Sequence, residues 1–543
     1  MVMGVSTHGA LHRVDPGVRV PDPASPLGRS LGRSARGHRC AALLLIFAWL
    51  AATAWLRPLA LPDEGRYASV AWEMLRSGQW LVPTLNGLPY FHKPPLFYWI
   101  TAAGLWAGGM NEWSARLAPI LGATAAAFSL YLFLLRRAGV GSARASLLVL
   151  LTQPIFFVGA QFANLDMLVA GCITGTTLAA ADASMSLLAG RPYRQALAIA
   201  YIGAALGVLA KGLIGAALPA LVLLAWLTAM GQWRLLARLV WLPGLALFLT
   251  LAAPWFVAMQ LRYPSFLDYF FVVQQFERYT QGGFNNVQPF WFFPAVLAVM
   301  ALPWTPWLLR AGSARYLRGA SQSPVSLLMW CWLAVIVLFF SLPRSKLVGY
   351  ALPALAPLAF LVVDAATGLR SGSRRGRRMW AGTAVAALLV CLAVVAGIDV
   401  AARESRRGLG QALGALRHPG EPVIFLREYF HDIPFYARLR QPVLVVDDWT
   451  PAHATAADNW RKELWDASGF GPNHTLIGEG ELLQVLCAGP ASWVLVSTAT
   501  AGQYAFLAAA QPVASTPSTR LYRIAQQRAS GPATTDCDRP DPA

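Results

Sequence analysis

Charge is scarce in this chain of 543 residues. Only 13% are Asp, Glu, Lys or Arg, against ~25% in an ordinary soluble protein, while 56% are hydrophobic. So few charges cannot cover the surface of a soluble protein this long, which excludes a cytosolic, fibrous or disordered chain. Lysine is scarcer still: of 44 cationic side chains only Lys93, Lys211, Lys346 and Lys462 are lysines. The six cysteines (40, 172, 331, 391, 487 and 537) show no CxxC or other metal spacing. Four of them fall in or beside apolar segments; Cys487 and Cys537 are free to pair in an oxidising compartment. His92 is the one histidine between residues 39 and 417. No internal repeat is visible.

What the chain has is apolar length. Stretches near 40–58, 116–135, 145–161, 167–189, 195–210, 212–230, 239–257, 290–309, 323–341, 350–366 and 379–399 predict eleven membrane spans. Segment 94–109 is apolar but short and aromatic, and is placed at the interface. Residues 1–39, rich in Pro, Gly, Ser and Arg, predict a disordered cytoplasmic tail. Residues 40–400 then form the membrane domain, with 59–115 as its first outer loop. With the tail inside, the inner loops and tail hold 21 arginines and the outer loops up to residue 400 only ten Lys or Arg. This is the inside-positive bias that sets orientation, so the net charge of +18 is a membrane signal and no nucleic-acid partner is expected. Arg403, Arg406 and Arg407, just past the last span on the outer side, run against it. Residues 401–543 change character: PVIFLREY, PVLVVDD, ASWVLVST and TRLYRIA predict strands, and HDIPFYARL and AGQYAFLAAA predict helix, giving an α/β domain outside the membrane.

The chemistry concentrates on the outer side. Asp63, Glu64, Arg66, Glu73 and Arg76 recur at helical spacing in the first loop, as an amphipathic helix on the outer leaflet requires. Lys93, Lys211 and Lys346 all fall at outer ends of spans. An ammonium is a compact point charge for a phosphate where arginine is not equivalent, so three rare lysines on one face point to an anionic ligand there. Asp166 sits in the short outer loop QFANLD, and with Asp63 it makes a carboxylate pair opposite the lysines. That layout suits group transfer from a phosphate carrier: cations hold the leaving phosphate and a carboxylate serves the incoming nucleophile. An anionic-lipid transporter or flippase is the reading of a different class; it predicts charges at mid-membrane.

Asp63–Glu64–Gly65–Arg66–Tyr67, Gly78–Gln79–Trp80–Leu81–Val82–Pro83, Leu85–Asn86–Gly87 and Lys93–Pro94–Pro95–Leu96 resemble the first periplasmic loop of bacterial lipid A aminoarabinose transferases. These belong with the protein O-mannosyltransferases among membrane-embedded C-type glycosyltransferases. Asn164–Leu165–Asp166, Ala210–Lys211–Gly212, Phe276–Glu277–Arg278–Tyr279 and Ser345–Lys346–Leu347–Val348–Gly349–Tyr350 extend the resemblance over residues 45–370. It implies an all-α polytopic bundle of about 11–13 transmembrane helices in the bacterial inner membrane, with a periplasmic site and C-terminal domain. It implies a polyprenyl-phosphate sugar donor and an inverting transfer to lipid A, another glycolipid or glycan, or protein. By the same resemblance Asp63 and Asp166 are the catalytic carboxylates, Lys93, Arg278 and Lys346 hold the donor phosphate, and Tyr67, Lys211, Tyr350, Arg66 and Glu64 line the sugar or acceptor site. Some aminoarabinose transferases place an acid before the loop lysine and a histidine in the later loop; here those positions are His92 and Gln275. No required metal or other cofactor is expected.

Overall fold

The computed structural model describes residues 26–277, 286–312, 316, 319–320, 322–401, 405–488, 491–508 and 510–525. In hydrocarbon a chain must satisfy its own N–H and C=O groups, so the apolar stretches become helices. Among the described residues six are long and apolar enough to cross a membrane: Leu117–Arg137, Leu165–Leu188, Leu242–Arg262, Pro324–Ser341, Val348–Gly368 and Arg374–Ile398. The stretch expected at 145–161 is a bent pair, Val140–Leu151 and Pro154–Ala160, at 69°. Pro154 brings no N–H to the ladder, so the helix restarts there. The stretch expected at 290–309 is not one span. Phe292–Met300 has only nine residues, ~14 Å of helix, and a 3-10 segment follows at Thr305–Gly312. Pro303 stands in the break between them. Gly37–Ala51, Leu96–Gly108 and Ile214–Ala229 are shorter apolar helices. Helix already begins at Pro26, within the stretch expected to be a disordered tail.

Close helix contact is built from small residues. Gly122 and Gly171 face each other backbone to backbone, leaving no room for a Cβ on either. They lock Leu117–Arg137 against Leu165–Leu188, the helix that carries Asp166 near its N-terminus. At the opposite, inner end Arg136 and Arg137 bind Asp182 at 3.0 and 2.7 Å.

Beyond the last long helix the chain folds as α/β. Strands β1 (Thr84–Leu85) and β2 (Leu88–Pro89) form a hairpin in the first loop. The C-terminal sheet holds β3 (Val423–Leu426), β4 (Leu444–Val446), β5 (Leu476–Ile477), β6 (Ala491–Ser497), β7 (Ala514–Ser515) and β8 (Thr519–Ala525) in the order β5-β4-β3-β6-β8-β7. The first four are parallel; β8 runs antiparallel to both β6 and β7. All four expected strand sequences are present, and β3 is buried at every position, as a central parallel strand must be. Cys487 is disulfide-bonded, while Cys40, Cys172, Cys331 and Cys391 are free; Cys537 lies outside the described residues.

The hairpin fastens this domain to the first loop. Asn86 and Gly87 both take positive φ (55° and 77°), the conformation of a tight two-residue turn. Buried Glu73 accepts the Asn86 and Gly87 N–H groups at 2.8 and 3.0 Å and the Thr84 hydroxyl at 2.7 Å. The Asn86 amide in turn pairs with the backbone of Val443 in both directions, at 3.0 and 2.8 Å.

Candidate active site

The helix Asp63–Ser77 places two adjacent acids in its first turn. Successive residues on a helix point ~100° apart, so the two carboxylates part company. Glu64 goes inward and is wholly buried. It accepts from Arg57 at 2.5 Å, from Arg116 at 2.8 and 2.9 Å, and from the backbone N–H of Ala163 at 2.7 Å. Burial alone would raise its pKa; Arg116 and Arg57 outweigh that and hold it at about 2. Glu64 was expected at the sugar or acceptor, but every face of its carboxylate is occupied by protein. It is instead the node that ties the first loop to the turn at 161–164, the turn from which Asn164 and Asp166 emerge.

Asp63 goes outward, with 35% of its side chain exposed. It accepts from Arg66 one turn along and faces the Asn164 amide at 3.4 Å. Arg66 also pairs with Glu463 of the C-terminal domain. Arg66 thus orients Asp63 and joins the two parts of the structure at once. Glu463 is itself enclosed, with His92 Nδ1 4.0 Å and His431 Nε2 3.8 Å from its oxygens. Burial would raise the Glu463 pKa, but Arg66 carries it well below the ordinary carboxylate range. Burial also holds His431 below the usual imidazole value. Beside this cluster Gly65 lies directly on the backbone of Asp432, where a Cβ would meet the Asp432 N at 2.9 Å.

Asp166 is the second carboxylate of the site. Asn164 caps its helix by accepting the Asp166 N–H at 2.9 Å. The Asp166 carboxylate pairs with Lys211, whose ammonium also stands 4.6 Å from the centre of the Tyr350 ring. Tyr350 is stacked on Phe340 at 5.0 Å. Gly349 lies directly against the Asp166 carboxylate, with no space for a side chain.

Asp63, Asn164, Asp166 and Gly349 together line one end of a cavity of about 740 Å³. The rest of its wall is almost entirely apolar: Ile155 and Val158 from the bent helix pair, Leu302 from the break after Phe292–Met300, Leu352 from the segment Val348–Ala354, and Val394 from the last long helix. A cavity apolar along membrane helices and acidic at one end fits an amphiphile whose polar head meets the carboxylates.

The other expected residues fall as follows. Tyr67 is buried against Phe97 and Tyr98, 5.7 and 6.2 Å between ring centres, and beneath the Arg66 guanidinium. Burial raises its hydroxyl pKa, so it stays neutral. Lys93 is half-buried in the loop before the Leu96–Gly108 helix. The Lys346 ammonium donates to the carbonyls of Gln288 (2.9 Å) and Pro343, holding together the bridge between Val287 and Ser345. It is 4% exposed and does not line the cavity. Arg278 lies outside the described residues, as do Tyr279 and the Gln275 side chain. Among the described residues no group of three His, Cys, Asp or Glu is arranged to hold a metal ion. Sequence reasoning missed Glu463 and His431. Neither stands in a motif, and both meet the site only through the docking of the C-terminal domain.

Comparison with known proteins gives consistent relatives. A family model described as dolichyl-phosphate-mannose-protein mannosyltransferase matches residues 92–257. An undecaprenyl phosphate-alpha-4-amino-4-deoxy-L-arabinose arabinosyl transferase of Erwinia tasmaniensis is 33% identical over 329 residues, covering 59% of this chain and 58% of the relative. One from Pectobacterium carotovorum is 31% identical over 368 residues, covering 66% and 63%. The matched stretch thus spans less than two thirds of these relatives' length. The crystal structure of ArnT from Cupriavidus metallidurans bound to undecaprenyl phosphate superposes with a TM-score of 0.75 at 23% identity, covering 95% of this chain and 100% of that one. Its apo form gives 0.73. These likenesses show a common fold.

Proposed function

We propose that this chain, a member of the superfamily of membrane-embedded C-type glycosyltransferases that includes the lipid A aminoarabinose transferases and protein O-mannosyltransferases, moves a sugar from a polyprenyl-phosphate carrier to an acceptor at the periplasmic face of the bacterial inner membrane. The sugar is of the 4-amino-4-deoxy-L-arabinose type and the acceptor is lipid A or a related glycolipid. The observation that carries this reading is the cavity of about 740 Å³ whose apolar walls end at Asp63 and Asp166. A polyprenyl chain matches the walls, and the sugar it bears is delivered to the two carboxylates.

In the reaction an acceptor oxygen bonds to the anomeric carbon while the bond from that carbon to the carrier phosphate breaks. The phosphate leaves with the bonding electrons and the anomeric configuration inverts. A hydroxyl acceptor gives its proton to Asp63, help of ~10²–10⁴-fold. A phosphate acceptor is already anionic, and Asp63 then chiefly positions it through Arg66. Asp166, held by Lys211 and pressed on Gly349, orients the sugar. Lys93 and Arg278 bind the leaving phosphate. This reading assigns every step to side chains, and protein treated with a chelator is expected to retain transfer. The match to the mannosyltransferase model supports a second reading, in which a protein or glycan hydroxyl is the acceptor.

Mass spectrometry of lipid A and envelope glycans from cells with and without the protein separates the two. A phosphate-linked aminopentose that depends on the protein supports the first reading, and a protein glycan that depends on it supports the second. Unchanged lipid A and unchanged glycans contradict both.

A further inference from the structure

The sequence left one feature without a use: arginines just past the last span on the outer side, against the orientation signal. Arg403 lies outside the described residues. Arg406 serves the fold, binding Glu428 at 2.7 Å and Thr519 at 3.0 Å. Arg407 does something else. It opens the helix Arg407–Leu416 and borders a cavity of about 440 Å³, which adjoins a second of about 370 Å³. The two share Gly414, Ala437 and Arg438 and form one groove between that helix and the turn at 437–441. Neither shares a lining residue with the cavity at Asp63.

The groove is cationic. Arg407, Arg417, Arg438 and Arg440 line it against a single acid, Glu112. Glu112 is already engaged, by Arg407 at 3.2 Å and the Tyr436 hydroxyl at 3.1 Å. Arg417 is turned to the Glu421 carbonyl at 2.7 Å. Arg438 and Arg440 are exposed, and among the described residues neither side chain makes an ion pair or hydrogen bond. The turn is built to present them. Ala437 and Leu439 are buried, the Leu439 carbonyl accepts from Trp72 and Arg76 at 3.0 and 3.2 Å, and Arg438 adopts φ 51°. Gly414 lets the helix lie on this turn, since a Cβ would meet the Ala437 carbonyl oxygen at 2.9 Å.

Two features set the groove at the membrane surface. Its helix follows closely on the last long apolar helix, which ends at Ala401. Its other wall, Met110 and Asn111, follows the helix Leu96–Gly108, on which Trp106 is 78% exposed, as tryptophans at headgroup level are. Arginine forks are suited to phosphate oxygens, and a site at this level meets lipid headgroups.

We propose that the groove is a second binding site, for the phosphate of an anionic lipid headgroup. It goes beyond the transfer reaction proposed above, and binding is read without turnover, so either can fail alone. The test is native mass spectrometry of the full chain in neutral detergent with three probes: diphosphorylated lipid A, the same lipid dephosphorylated, and phosphatidylglycerol. Arg438→Asn/Arg440→Gln keeps a residue that tolerates the left-handed backbone at 438. Arg427→Asn is the control, an exposed arginine at φ 51° outside the groove.

The double variant loses roughly tenfold or more in affinity for the diphosphorylated lipid, while the control and the dephosphorylated lipid show no such loss. A parallel loss for phosphatidylglycerol assigns the site to anionic membrane lipids in general. Its absence there assigns the site to the glycolipid. Equal binding of the diphosphorylated lipid by wild type and double variant, or an equal loss in the control, overturns the proposal.

Discussion

The guanidinium of Arg66 joins the carboxylate of Glu463, 397 positions further along the chain. The same guanidinium holds Asp63. A residue of the C-terminal domain therefore acts on the Asp63 carboxylate through one intermediary, and the domain is part of that carboxylate's support. Glu463→Gln keeps the shape and removes the charge. It is expected to lower kcat about tenfold or more, the scale of one charge-assisted contact, with little change in donor KM. Glu463→Asp restores part of the rate. Transfer assays on purified variants of matched thermal stability check this.

Gly349 is the position where backbone and Asp166 meet. Gly349→Ala must push the carboxylate off Lys211 or move the turn that carries Tyr350. Transfer is expected to fall by about 10²-fold, since a displacement of ~1 Å at a reacting centre costs that much. Thermal stability in detergent should move little by comparison. Unaltered transfer by this variant removes Asp166 from the orienting role.

Glu64 predicts a stability effect rather than a chemical one. Glu64→Gln leaves Arg57 and Arg116 buried without their shared counter-charge, a loss of roughly 3–5 kcal/mol. The wild type is expected to lose the same stabilisation in acid. Its folded pKa of about 2 lies below the ordinary 4.5, so the stabilisation is present above pH 4.5 and is lost as pH falls toward 2. Thermal unfolding of wild type and variant between pH 7 and ~3 should converge toward the acid end.

Much of this was legible in the sequence, for identifiable reasons. Spans expected near 116–135, 167–189, 239–257, 323–341, 350–366 and 379–399 correspond to the long apolar helices, because hydrophobic length alone specifies them. The stretches at 145–161 and 290–309 are as apolar but break at Pro154 and near Pro303, whereas Leu242–Arg262 stays helical across Pro254, so neither hydropathy nor a proline alone marks the breaks. Asp63, Asp166 and Lys211 were visible as rare charges on one face, and the ion pair between Asp166 and Lys211 brings two of them together. Glu64 looked like its neighbour Asp63. Only the burial of its partners, Arg57 and Arg116, separates the two roles. Glu463 had no signal at all: it is one of two acids, with Asp466, on the short amphipathic helix Trp460–Ser468, and its meaning arises from docking.

On the proposed function, Asp63 and the cavity behind it transfer a lipid-borne sugar. The direct measurement supplies purified, reconstituted protein with an undecaprenyl-phosphate-linked aminoarabinose and lipid A, and reads the acceptor mass. Wild type is expected to add one aminopentose, and Asp63→Asn, expressed and inserted normally, to add none above a background ~10²-fold or more lower. Wild-type-like transfer by Asp63→Asn contradicts the account.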